Sequence, residues 1–325
     1  MNDLSKQSIA EALESKWNEL EGLGSRKRIL PSHPLKLYVM RTQTRNRVFR
    51  FESNHDFREF KQIRFKSLDF HIDETGDSLS IELTDEGYAS TFSAFLYDLI
   101  TKTAVMGKDD AAHHLITRLQ DWSKLFARGA KSGLSDAEAL GLRGELGLIN
   151  ELLRRTDSKT ELIESWRGPN GDKSDVGWGH FRIEIKTKRA TSKAVVQISS
   201  AEQLSENPGN LYLYVSHLNS GASDGQSIND LVQKLYHELG NDLSLRQSFD
   251  SKLLMANYLV TDPACDVLYQ EVSTDAYSVV DGFPRLTSES LPTGISRIVY
   301  DVDLSSLSKY KIELNTLWST LGLSE

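Results

Sequence analysis

Hydrophobic and polar positions change period several times along this chain, and each change marks an element. Residues 5–21 carry Ile9, Leu13, Trp17 and Leu20 at helical spacing, which predicts an amphipathic helix. From Leu35 to Leu83 the period falls to two, in the short segments LKLYVMRT, RVFRFES, IRFKSLDFHID and SLSIELTD. Arg45-Asn46 and Thr75-Gly76-Asp77 separate them as turns, so an antiparallel sheet of about four strands is expected. Helical spacing returns in Tyr88–Ala104, through Phe92, Phe95, Leu96, Leu99 and Ile100. It continues in Asp110–Arg128, through Leu115, Leu119, Trp122, Leu125 and Phe126.

The second half mixes both periods. Ser135 with Glu138 has the form of a capping box and opens a helix predicted to reach about Arg155, with Leu142, Leu146, Ile149 and Leu153 as its seam. Phe181–Thr187 alternates strictly, sending Phe181, Ile183 and Ile185 to one face and Arg182, Glu184 and Lys186 to the other. Gly179-His180 suits a tight connection back to a shorter extended piece that carries Asp175. Ala194–Ser199 and Leu211–His217 read as further strands, with a short helix between them capped by Ser200 and Gln203. Helices are expected after Ser227 and over 245–256, then strands in VLYQEV and ISRIVYDVDL. The order is that of an α/β protein with a mixed-sheet core. We divide it into a β-rich N-terminal α+β domain (1–105), a core (106–218) and a C-terminal α+β extension (219–325).

Composition narrows the classes. No run of 18 or more apolar residues appears, so no membrane partner is expected, and the N-terminus lacks an apolar leader, which points to a cytoplasmic location. One cysteine, Cys265, excludes an intramolecular disulfide and a cysteine-built zinc site. The net charge of -8 argues against a coating protein for nucleic acid, yet residues 141–200 hold 11 Lys and Arg against 8 Asp and Glu. That window fits an enzyme with a local basic cleft.

The chemistry sits in the same window. Asp175, Glu184 and Lys186 would meet on one sheet surface, the equipment for holding a divalent cation and activating a water beside it. Glu145 lies at the edge of the upstream helical seam among Gly141, Gly144 and Gly147, small residues that let a helix approach a sheet. Two similar strings lack a strand: Glu14-Ser15-Lys16 lies on a helix, and Asp250-Ser251-Lys252 near a helix or turn. His113 and His114 are adjacent on a helix and point apart, so they suit solvation or capping better than metal binding. Trp166 and Trp178 suit core or loop-anchoring roles better than base stacking.

These residues together resemble the PD-(D/E)XK nuclease superfamily, whose core runs helix–strand–strand–strand–helix–strand. The correspondence places Glu145 on the first helix, Asp175 at the second strand, Glu184-Ile185-Lys186 on the third and Gln197 on the strand after it. Ser174 stands where a proline is expected, at a position tolerant across the superfamily. The segments GLRGELGLINELL, SWRGPNGDKSDV, RIEIKT, VQISSAEQL and FPRLTSESLPTGISRIVYDVDL are similar to a narrower bacterial family found beside methyltransferases and other defence genes.

The resemblance implies a restriction-endonuclease-like core (αβββαβ) and a type II-like restriction endonuclease of defence that cuts double-stranded DNA. Asp175, Glu184 and the backbone carbonyl of Ile185 would hold Mg²⁺, with Mn²⁺ able to substitute, and Glu145 would complete the shell. Lys186 would orient or help deprotonate the attacking water. Gln197 and the cations Lys188, Arg189, Lys193 and Arg143 would contact the DNA backbone. A homodimer is expected for cutting two antiparallel strands, and a methyltransferase or ATPase partner is compatible with the setting. The competing reading is a non-cleaving DNA-binding or scaffold subunit that keeps the fold. An RNase or a structure-specific resolvase would use the same centre.

Overall fold

The computed structural model describes residues 13–20, 24–60, 67–127, 133–170, 174–205, 211–287, 290–292, 294–295 and 298–323. Most of the predicted 5–21 helix lies outside that set, and residues 13–18 within it are helical. The chain forms two compact units, residues 1–132 with 259–261, and residues 133–258 with 262–325.

The first unit combines an antiparallel sheet with helices. Its strands are β1 (Arg26–Ile29), β2 (Lys36–Arg41), β3 (Arg47–Glu52), β4 (Leu68–Ile72) and β5 (Ser78–Leu83), in the order β1-β2-β3-β5-β4. Four of these are the strands that the alternation predicts. The fifth, β1, reads RKRI and has too little apolar pattern to stand out; charged side chains are a normal covering for a sheet edge. Helix α1 (Ala89–Ala104) buries Phe92, Phe95, Leu96, Leu99 and Ile100, the stripe read from spacing. Helix α2 (Lys108–Ala127) packs on α1 within this unit, although it follows the boundary drawn at 105 from sequence. The side chains of Leu125 and Phe126 lie outside the described set.

The second unit is mixed α/β. Helix α3 (Asp136–Leu153) starts at Ser135, and both bonds of the capping box form. Helix α4 (Lys159–Ser165) leads to β6 (Val176–Trp178), β7 (Phe181–Arg189) and β8 (Val195–Ile198). Then come β9 (Leu211–Ser220), α5 (Ile228–Leu239), α6 (Leu243–Met255), β10 (Tyr269–Ser278), β11 (Tyr300–Asp303), β12 (Lys311–Ile312) and α7 (Leu314–Thr320). The main sheet has the order β12-β10-β9-β7-β6, with β7 parallel to β9 and the other neighbours antiparallel.

Strand β8 departs from the expected core. It pairs with β11 in a separate two-stranded ribbon, Val196 opposite Val302 and Ile198 opposite Tyr300. The reason is apolar: Val196, Ile198 and Val302 join Leu211, Leu213 and Val215 of β9 in one buried cluster that covers a face of the main sheet. The other face receives α3, whose Gly144 comes so close to β7 that a Cβ there would overlap the Thr187 hydroxyl. Strand β7 is therefore covered on both sides, which is why Glu184 is buried although it alternates with Ile183 and Ile185.

Candidate functional site

The site forms where β6 and β7 part. Their register ends at Val176 opposite Ile183, so the next N–H along that edge of β7, that of Ile185, has no strand partner. Asp175 supplies one: its Oδ2 accepts the Ile185 N–H at 2.7 Å. The carboxylate is thus held at the edge of the sheet, between the face that carries α3 and the face that carries Glu184. Its own carbonyl accepts the backbone N–H groups of Arg167 and Gly168, at 2.7 and 3.0 Å, which fixes the chain around it.

Glu145 reaches the same place from α3. The fully buried Trp166 donates its indole N–H to Glu145 Oε2 at 2.8 Å. Gly168 keeps the space between the two acids open: a Cβ there would lie 2.6 Å from Glu145 Oε2 and 3.0 Å from Asp175 Oδ1. Glu184 is 1% exposed; its Oε1 lies 2.7 Å from Lys186 Nζ, while its Oε2 is buried with no hydrogen-bond partner. Lys186 Nζ also donates to Gln203 Oε1 at 3.1 Å, and that oxygen accepts the Ser199 N–H at 2.8 Å.

Three carboxylates share one ammonium group, and their pKa values record the deficit. Loss of solvent pushes Glu145 up to about 8, helped by the charge of Asp175 and opposed by the Trp166 bond and Lys186. Burial raises Asp175 as well, against the Ile185 N–H and Lys186. Glu184 stands well above the ordinary carboxylate range, through burial first and the Asp175 charge second, with Lys186 opposing. Parts of Glu145 and Asp175 reach the surface, but their carboxyl groups are largely walled off from water.

Among the described residues no three Asp, Glu, His or Cys side chains are placed together to hold a metal ion. The donors nevertheless suit a hard divalent cation. All are carboxylate oxygens. One is an unpartnered buried oxygen, and two others flank a hollow that a single methyl group would fill.

Not every expected residue joins this group. Gln197 is exposed on β8 opposite Asp301, on the side of the ribbon away from the buried cluster. Arg143 is buried on α3, its Nε donating to the Gln226 carbonyl beside Glu271, so it presents no free cation for DNA. Lys188 is also buried and donates to the carbonyls of Arg189 and Ser192, tying the turn after β7. Arg189 is exposed and bound to Ser220 Oγ at 2.7 Å, and Lys193 is exposed. The three-residue string at Asp250 is structural: Lys252 donates to the carbonyls of Glu164 and Trp166 and so secures the loop beneath the site.

Gln203 is the residue that sequence reading misassigned. Its spacing from Ser200 suggested a capping box, yet the Ser200 side chain makes no cap bond and the turn after it is a short 3-10 stretch. The amide serves Lys186 instead. Tyr300 was not singled out at all; its hydroxyl accepts the Leu286 N–H at 3.2 Å, and burial, with a smaller contribution from the Glu184 charge, raises its pKa. No local periodicity marks either residue, because their neighbours come from distant strands.

The second unit thus combines a mixed sheet with an Asp, a Glu-x-Lys strand and a helix-borne Glu at the sheet edge. The chain belongs to the family described as "Putative PD-(D/E)XK family member, (DUF4420)", which matches residues 13–305, about nine-tenths of the sequence. No curated protein and no solved structure matches it. No helix among the described residues is long and apolar enough to cross a membrane.

Proposed function

We infer that the protein is a divalent-cation-dependent DNA endonuclease of the restriction type. The observation that carries this reading is Glu184 Oε2, a buried carboxylate oxygen without a partner, beside two further buried acids and a lysine. Desolvating such a group costs several kcal/mol unless a charge compensates it, so a fold that keeps it is expected to have a ligand for it.

Asp175, Glu184 and the Ile185 carbonyl, with Glu145, are the groups that would hold Mg²⁺ or Mn²⁺. Bound there, the cation would lower the pKa of a coordinated water and draw charge from the scissile phosphate. The remaining work falls to the chain itself. Asp175 is oriented by the Ile185 N–H, and Glu145 by the Trp166 indole. Lys186, steered by Gln203, stands beside Glu184 where its ammonium group can orient the attacking water and offset charge developing on the phosphate oxygens. Burial keeps bulk water from competing for these bonds.

Supercoiled plasmid incubated with Mg²⁺, Mn²⁺ or EDTA tests the reading. Wild-type protein should nick or linearise it only with a cation, and Lys186→Ala should do neither while remaining folded. Cation-dependent cleavage by Lys186→Ala overturns the assignment. Folded wild-type protein that binds duplex without cutting would favour the non-cleaving scaffold.

A further inference from the structure

The cations expected to meet DNA are partly spent elsewhere: Arg143 and Lys188 are buried and bonded to backbone carbonyls. Two other arginines, Arg167 and Arg182, are only partly buried. We propose that Arg167 and Arg182 form a phosphodiester-binding subsite on the same sheet face as Glu184 and Lys186, gripping a backbone phosphate next to the one at the carboxylates. The proposal rests on the nuclease reading for the identity of its ligand.

The placement follows from the register. Gly177 of β6 pairs with Arg182 of β7, so the side chain of Arg182 and the missing side chain of Gly177 share one face. Arg182, Glu184 and Lys186 alternate along β7 and share that face too. The guanidinium of Arg167 fills the place of the absent Cβ: its Cζ and Nε would each lie 3.0 Å from a Cβ on Gly177. Glycine therefore leaves the room against the strand that this guanidinium occupies. The terminal nitrogen of Arg182 is steadied by the carbonyls of Gly179 and Phe181, at 3.3 and 2.8 Å.

Among the described residues neither arginine has a carboxylate within ion-pair distance, although three acids crowd the neighbouring site. Both cations stand at the Gly177–Arg182 pair, so an anion bound there would meet two guanidinium groups. A guanidinium presents two parallel N–H donors, which match the two free oxygens of a phosphodiester. The subsite is also tied to the catalytic acid, because the backbone N–H of Arg167 is bonded to the Asp175 carbonyl. A phosphate held by Arg167 is thereby indexed to the carboxylate beside it.

Binding of a short fluorescein-labelled DNA duplex to the full chain, in Ca²⁺ to prevent cutting and over a series of salt concentrations, tests this. Arg167→Gln should weaken binding roughly tenfold and lower the slope of log affinity against log salt by about one. Arg182→Gln should lower the slope likewise, and Arg167→Lys should restore the slope while recovering only part of the affinity. A partly unfolded preparation lowers the binding amplitude and leaves the slope alone, so the slope reports the subsite. Wild-type affinity and slope in both glutamine variants, or no duplex binding by the wild type, overturns the proposal. If plasmid cutting is lost in Lys186→Ala while Arg167→Gln binds as wild type, the subsite fails and the nuclease reading stands. Arg167-dependent binding without any cutting gives the reverse.

Discussion

Each unit of the molecule buries carboxylates, and it treats them differently. In the first unit Asp98 of α1 accepts Arg118 Nε and a terminal nitrogen of the same guanidinium at 2.7 and 2.8 Å, and the Trp122 indole N–H at 2.7 Å. Burial alone would raise its pKa, but Arg118 and Trp122 bring it below the ordinary value. In the second unit Glu145, Asp175 and Glu184 share a single lysine, and all three pKa values are raised. Both sites take carboxyl groups out of water; Asp98 has cations and an indole to itself, whereas three acids crowd one lysine and repel one another. A satisfied buried acid is a structural joint, whereas the unsatisfied cluster is where the proposed cation would supply the missing charge.

The largest effect that could break this contrast is on stability. Arg118→Ala leaves Asp98 buried with its main partner gone and should cost about 3–5 kcal/mol in urea unfolding. Lys186→Ala removes the corresponding cation from the other cluster, where the raised carboxyl pKa values let protons take over its role, and should cost less than Arg118→Ala. Equal losses would show that the two clusters are the same kind of structure.

A pH series sharpens the same point. The ordinary Glu145 value is 4.5 and its folded value is about 8, so between these the folded chain holds a proton that the unfolded chain releases. Stability of the cation-free protein should therefore fall as pH rises through that window. Asp175 and Glu184 push in the same direction. A cation displaces those protons, so the rise in melting temperature with Mn²⁺ should be greater at about pH 8 than at about pH 6. Glu145→Gln should flatten both trends, and a stability that instead climbs with pH would contradict the site's electrostatics.

The smallest expected effect concerns the lysine's orientation. Gln203→Met keeps the bulk of the side chain and removes the oxygen that Lys186 and Ser199 use. Cleavage should slow about tenfold, the lower end of what loss of an outer hydrogen bond at a metal site costs, with little change in melting temperature. An unaltered rate would reduce Gln203 to a local backbone tie.

Much of this was legible beforehand, and the reasons are specific. The Ser135–Glu138 box begins α3 because capping is settled within one turn. Alternation over Phe181–Thr187 identified β7, and the Gly179-His180 turn, with Gly179 at φ +56°, turns β6 into it. The buried stripe of α1 likewise needs only its own 16 residues. Strand β1 escaped because an edge strand rich in arginine and lysine carries no apolar alternation. Arg143 and Lys188 were expected at DNA because sequence shows a charge and not its surroundings; α3 and the β7 turn bury both. Gln197 looked placed for the site until β8 paired with β11, more than a hundred residues later.

The sequence alone determined the local periods, the caps and turns, and the succession of residue types from Glu145 through Asp175 to Glu184-Ile185-Lys186, since each depends on neighbours within a few positions. Tertiary structure alone decided which charges stay uncompensated. That depends on where β6 stops pairing, on Gly168 and Gly177 leaving room, and on Gln203 arriving from the turn after β8 and Tyr300 from β11. The physical reason is that a side chain's ionisation and bonding follow from the solvent and partners around it, and those are set by contacts between segments far apart in the chain.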